Sequence, residues 1–334
     1  MTVQRWGNVT AIALFVVIAA LTAASGTVPS GRAAAAETRA KGGQSARPPA
    51  SARTERTERP GRTERLERPG PSATATPSPS RTPSPSPSRT PSAEEAVRDA
   101  LAGLGGHAGR YAIAVRDLET GASAGRGAGT GTYDTASIVK VDILAALLLQ
   151  HQARGTEPTR GQRELAADMI RSSDNDATDV LWRAIGGAAG LDAANKTLGL
   201  SGTSAGQAGR WGLTQTVPAD QVRLLRAVFG EDSPLSAESR AFIGGLMGRI
   251  VPGQDWGVPA AAAPEAPRVV KNGWLRRSTT ELWDINSIGL VAYDGHLVLV
   301  AVLSADQPTR EAGIALVERA AAAAVPALVD NASH

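Results

Sequence analysis

The sequence predicts an α+β domain in which a mixed antiparallel sheet from N- and C-terminal strands lies beside an all-helical region. Three observations carry that expectation. Near the front of the part that can fold, Tyr111-Ala-Ile-Ala-Val-Arg-Asp-Leu alternates and ends at the turn signal Glu119-Thr-Gly. Near the back, strand patterns return at 268–275, 282–293 and 296–304, with Asp294-Gly295 as a hairpin turn between the last two. Between these ends the pattern is helical, around 137–152, 161–171, 176–186, 190–198, 218–229 and 236–249. Strands at both ends with helices between them pair most simply into one sheet with a helical subdomain at its side.

The elements follow in order. Residues 1–26 read as a secretory signal or signal anchor: Arg5 precedes the apolar run Ala11-Ile-Ala-Leu-Phe-Val-Val-Ile-Ala-Ala-Leu, and Ala33-Ala-Ala-Ala offers a small-residue cleavage pattern. That run is shorter than the roughly 20 residues a bilayer span needs. Residues 27–92 form a stalk of Thr-Glu-Arg repeats followed by Pro-Ser and Arg-Thr-Pro-Ser units. With apolar side chains nearly absent, burial there cannot offset the entropy of ordering, so the stalk is expected to be disordered and extended. Residues 93–334 are the folded domain. It opens on a helix from Ala93 to Leu104, with Ser92 as cap and Glu94-Glu95 in the first turn, and closes on an Ala-rich helix from Thr309 to about Leu328.

Charge narrows the function classes. Residues 1–92 carry 13 basic and 5 acidic side chains, which leaves 22 basic and 27 acidic in the domain. The basic excess therefore belongs to the stalk, and a nucleic-acid partner, which needs it on the folded surface, is not expected. The basic stalk could be drawn weakly to the wall or the membrane surface. The chain has no cysteine, so disulfides, thiolate chemistry and lipidation of an N-terminal cysteine are excluded. His107, His151, His296 and His334 are scattered without metal-ligand spacing, and neither a metal nor a cofactor is expected.

Lysine is scarce, with only Lys41, Lys140, Lys196 and Lys271 among 35 basic residues. A lysine can act as a base when its proton affinity is lowered, whereas an arginine cannot. Lys140 lies in Ala136-Ser137-Ile138-Val139-Lys140, followed by an almost wholly apolar run that marks a buried helix. Ser137 and Lys140 fall on the same side of its first turn. A lysine buried there must be paired or give up its proton, and a neutral lysine beside a hydroxyl is a general base. The bland alternative is a capping serine with a lysine that reaches solvent. Ser173-Asp174-Asn175 is in isolation a cap for the helix starting near Asp176, or a hydroxyl that can pass a proton beside an amide that can bind one. Val270-Lys271-Asn272-Gly273-Trp274 sits on an expected edge strand, where Lys271 is an ordinary strand lysine or the holder of a substrate carboxylate. Its charge would depress the proton affinity of Lys140, and Gly273 would let substrate backbone lie close to the strand.

Taken in order, Ser137-x-x-Lys140, Ser173-Asp174-Asn175 and Lys271-x-Gly273 resemble the three motifs of class A β-lactamases and penicillin-binding DD-peptidases. The resemblance covers roughly 93–330 and implies a β-lactamase/DD-peptidase-like fold. It implies catalytic roles for Ser137 (nucleophile), Lys140 (base), Ser173 and Lys271, and substrate contacts for Asn175, Asn272, Gly273 and Trp274. The N–H groups of Ser137 and Trp274 would form the oxyanion hole.

The departures from that family matter as much. Class A β-lactamases carry a glutamate, in a loop after the second motif, that activates the deacylating water. Here the interval from Gly199 to Thr214 holds no carboxylate, and the first glutamate after Asn175 is Glu231. The stretch from Ser137 to Ser173 is short, so a segment that usually walls the cleft is missing. Asn272 stands where the family has threonine or serine. Trp211, Trp256 and Trp274 are candidate walls, or core. The expectation is an exported, extracytoplasmic monomeric serine hydrolase that takes cell-wall peptide or a β-lactam-like small molecule and deacylates β-lactams slowly. The alternatives are an efficient β-lactamase and an inactive wall-tethered binding module.

Overall fold

In the computed structural model the described residues are 91–104, 109–127 and 131–332. The expected leader (1–26) and stalk (27–92) lie outside them, save Pro91 and Ser92. The described residues belong to one compact unit, Thr82–His334.

Helix α1 (Ala93–Ala100) begins at Ser92 with a capping box, the Ser92 hydroxyl accepting the Glu95 N–H while the Glu95 carboxylate accepts that of Ser92. A turn of 3₁₀ helix at Ala102–Leu104 completes the stretch read as one helix. Strand β1 (Arg110–Asp117) and the short β2 (Ser123–Gly127) form a hairpin. The second strand escapes the sequence pattern because Ser-Ala-Gly-Arg-Gly has little strand propensity. Strand β3 (Tyr133–Asp134) leads into a 3₁₀ turn at Ala136–Ile138 and then α2 (Val139–Ala153). Helices α3 (Arg160–Arg171), α4 (Asn175–Ala184) and α5 (Gly187–Leu198) follow. Only residues 154–159 join α2 to α3. After a loop come β4 (Gln215–Thr216), paired with β3, then α6 (Pro218–Phe229) and α7 (Ala237–Met247). Strands β5 (Val269–Arg276), β6 (Trp283–Tyr293) and β7 (His296–Gln307) complete the sheet, and α8 (Arg310–Ala332) closes the domain.

The sheet runs β2-β1-β7-β6-β5 with every neighbouring pair antiparallel, so the N-terminal hairpin docks on the C-terminal one through β1 and β7. Asp294 (φ 45°) and Gly295 (φ 81°) take the left-handed backbone a two-residue hairpin needs. Alternation along β7 divides the core: Leu299, Ala301 and Leu303 face the helical subdomain, while Val298, Val300 and Val302 face α1 and α8. Helix α8 is long and apolar enough to cross a membrane, yet Leu316, Val317, Ala320, Ala321, Ala324 and Leu328 are buried on the sheet. Its far end returns to the start of the domain, where the Asn331 amide, turned to donate, reaches the Pro91 carbonyl at 2.8 Å.

Candidate active site

Helix α2 runs through the middle of the helical subdomain, and every residue from Val139 to Leu148 is buried. The 3₁₀ turn before it places Ser137, partly exposed, at the junction of helix and sheet. Ser137 caps nothing; no side chain closes the start of this helix. Ala136 adopts φ 46°, a left-handed conformation that costs an alanine about 1–3 kcal/mol. Asn286 on β6 braces the bend, its Nδ2 donating to the carbonyls of Asp134 (2.8 Å) and Thr135 (3.0 Å). Nothing in the sequence singled out Asn286; only the register of β6 behind the turn gives it meaning.

Lys140 is fully buried and does not reach solvent. Its Nζ donates to the Ser173 carbonyl (2.6 Å), Ser173 Oγ (3.1 Å) and Asn175 Oδ1 (2.8 Å). Ser173 has φ 60° and is not the cap of α4. That role belongs to Asp174, whose Oδ1 accepts the Ala177 N–H at 2.7 Å, leaving the Ser173 hydroxyl free to face the lysines. Lys271, 1% exposed, donates to Ser173 Oγ (2.9 Å) and to the Asn272 carbonyl (2.9 Å). Ser173 thus links both lysines.

Burial pulls the proton affinity of Lys140 down to about 7, against the opposing pull of Asp174 and Asp179. Burial also lowers Lys271 well below its ordinary value, and the like charge of Lys140 adds to it. The expectation that Lys271 depresses Lys140 is thereby revised: desolvation is the main cause at both.

Strand alternation sorts the third motif. On β5 the residues Lys271 and Gly273 face the helical side, and Asn272 and Trp274 face α8. Asn272 is buried, and its amide N–H groups are spent on the carbonyls of Gln254 (3.0 Å) and Trp256 (2.9 Å). The expected substrate contact of Asn272 is therefore corrected: it braces the 254–256 loop. Gly273 is corrected in a different sense. A Cβ there would come within 2.7 Å of the Ser137 N, 2.8 Å of the Thr135 carbonyl oxygen and 2.9 Å of the Ile138 N, so the close neighbour is the protein's own turn. The Trp274 ring packs toward Trp256 (centroids 6.0 Å apart) and under Arg310 (5.1 Å), away from Ser137, which leaves only its backbone to serve the site. Of the three tryptophans only Trp211 meets the lysines, with Lys140 Nζ 4.9 Å from its ring centroid.

A partly exposed serine at the head of a buried helix, with two lysines joined through a second serine, sits on the α+β scaffold of a β-lactamase-like serine hydrolase. The model of the beta-lactamase enzyme family matches residues 157–328, and the chain belongs to that family. The matched span includes the second and third motifs and starts after Ser137 and Lys140. Two relatives, from Mycobacterium bovis and Mycobacterium tuberculosis, carry the name lipoprotein LppW. Each is 28% identical over 211 residues, 60% of this chain and 66% of the relative's own length. Among solved structures, a class A beta-lactamase from Bacteroides cellulosilyticus superposes with TM-score 0.62 at 16% identity, over 72% of this chain and 99% of that one. The TLA-3 extended-spectrum beta-lactamase gives 0.62 at 16%, over 71% and 98%. An ancestral class A beta-lactamase gives 0.58 at 22%, over 69% and 99%. These structural likenesses are of fold.

Proposed function

We propose that the chain is an exported serine acyl-transfer hydrolase acting on cell-wall peptide or a related acyl substrate, and slow to release β-lactam adducts. One observation carries this reading: Lys140, one helical turn from Ser137, is buried and hydrogen-bonded to Ser173 and Asn175, and that burial lowers its proton affinity to about 7.

In the reaction, neutral Lys140 takes the Ser137 hydroxyl proton as Ser137 Oγ bonds to the acyl carbon. The carbonyl oxygen becomes an oxyanion, met by the N–H groups of Ser137 and Trp274. Among the described residues no backbone carbonyl accepts the Ser137 N–H. The proton moves from Lys140 through the Ser173 hydroxyl to the leaving nitrogen, the C–N bond breaks, and an ester remains on Ser137. A substrate carboxylate beside Lys271 favours its charged form, so that cation arrives with the substrate. Asn175, with Oδ1 held by Lys140, has Nδ2 left for a substrate carbonyl.

Hydrolysis of the ester needs an activated water. The 199–214 loop supplies no carboxylate; its Trp211–Leu213 turn approaches the Ser137 turn, and a Cβ on Gly212 would lie 3.8 Å from the Ala136 Cα. An envelope location draws support from the lipoprotein name of the LppW relatives. This chain has no cysteine to carry a lipid, so export rests on the apolar segment within residues 1–26.

Labelling with a fluorescent penicillin, run beside Ser137→Ala and a chromogenic cephalosporin, tests the reading. Stable labelling that disappears in Ser137→Ala is the expected result. Rapid cephalosporin turnover would replace it with the β-lactamase reading. Absence of both labelling and esterase activity would leave the binding module.

A further inference from the structure

When Lys140 takes the Ser137 proton it becomes a cation on a side chain that is fully buried. Among the described residues no carboxylate lies within ion-pair distance of it, and Asp174 and Asp179 act from further off. What does lie against it is the face of Trp211, 4.9 Å from Nζ to ring centroid. The electron-rich face of an indole attracts an ammonium, most strongly where both are desolvated.

The ring is also held. Its Nε1 donates to Asp179 Oδ1 on α4 at 2.8 Å. The loop that carries it is pinned at both ends: the Ala205 N–H donates to Asp192 Oδ1 (2.8 Å), the Gly202 N–H to the buried Asp220 (2.7 Å), and the Gly206 N–H to Thr214 Oγ1 (3.0 Å). A side chain fixed by its own polar tip and by an anchored loop presents its face with little freedom left to lose.

We infer that Trp211 is a positioning residue for acyl transfer: its ring, tethered by Asp179, seats the Lys140 amine and stabilises the ammonium that forms there. The inference deepens the proposed function and rests on Lys140 being the base.

The test reads Lys140 directly, so that it does not depend on turnover. With only four lysines in the chain, ¹³C-labelled lysine gives few resonances, and Lys140→Met assigns the relevant one. Its titration midpoint is compared in the native protein, Trp211→Phe and Trp211→Leu. A weaker face and then no face should lower the midpoint stepwise, by about half a unit to one unit in Trp211→Leu. The acid limb of the penicillin-labelling rate should move down by the same amount. If Trp211→Leu does not fold, a smaller shift in the same direction in Trp211→Phe carries the test. An unchanged Lys140 midpoint in the folded variants overturns the inference. Loss of Ser137-dependent labelling in the native protein overturns the proposed function instead, and the two failures are distinct.

Discussion

Lys140 and Lys271 meet at one hydroxyl: their Nζ atoms lie 3.1 and 2.9 Å from Ser173 Oγ. Two ammonium groups this close and this buried cannot both keep their charge cheaply, so the free enzyme rests with at least one of them neutral. The network of Lys140, Ser173 and Lys271 thus has room to accept the proton that a relay from nucleophile to leaving group must carry.

The rate of labelling by a penicillin should rise with pH through about 7 as Lys140 loses its proton. The sign follows from the role: a base works in its neutral form, which predominates above its own proton affinity. A rate profile flat between pH 5 and 9 would show that Lys140 is not the base.

Ser173→Ala removes the hydroxyl that links the two lysines and leaves the Asp174 cap of α4 in place. The fold should persist while acylation falls about 10²- to 10⁴-fold, the usual worth of a positioned proton-transfer group. Circular dichroism and single-turnover labelling read the two effects separately.

Gly212→Glu should give the site what it lacks. The new side chain starts against Ala136, with no other atom within 4 Å of its Cβ. A carboxylate there can reach the acyl-Ser137 ester and activate water, so the labelled protein should lose its label at least tenfold faster, at an order-of-magnitude estimate. Unchanged label lifetime counts against a missing base as the cause of slow release.

Gly273→Ala should abolish labelling and lower stability together. The added methyl would press on the backbone of Thr135, Ser137 and Ile138, which cannot swing aside as a side chain can. A cost of about 1–3 kcal/mol in chemical denaturation is expected from overpacking of this kind.

Much of this was legible in the sequence where a pattern is local. Ser92 and Glu95 announce α1, Asp294-Gly295 announces the last hairpin, and the apolar run after Lys140 announces a buried helix. The order of strands and helices was enough to expect N- and C-terminal strands to pair, and they do so through β1 and β7. Residues whose meaning is set across the fold were not legible. Asn286 looks like any strand residue until its amide is seen behind the Ser137 turn. Asn272 drew attention by its place in a motif, but period-two alternation with Lys271 turns it toward the far side of the sheet, a point the sequence already contained. Gly273 reads in the sequence as a close approach, and the structure puts the Thr135–Ile138 turn against it. Trp211 was one of three indistinguishable tryptophans until Lys140 was found beneath it.

The meeting of Asn331 with Pro91 has a topological consequence. The polypeptide enters and leaves the domain at neighbouring points on the α8 face of the sheet, while Ser137 and both lysines lie on the other face. Ends so placed can be joined and the chain reopened elsewhere. A circular permutant bridging residues 332 and 91 with a short Gly-Ser link, and opened in the exposed 154–156 loop, should retain the fold and its labelling by penicillin.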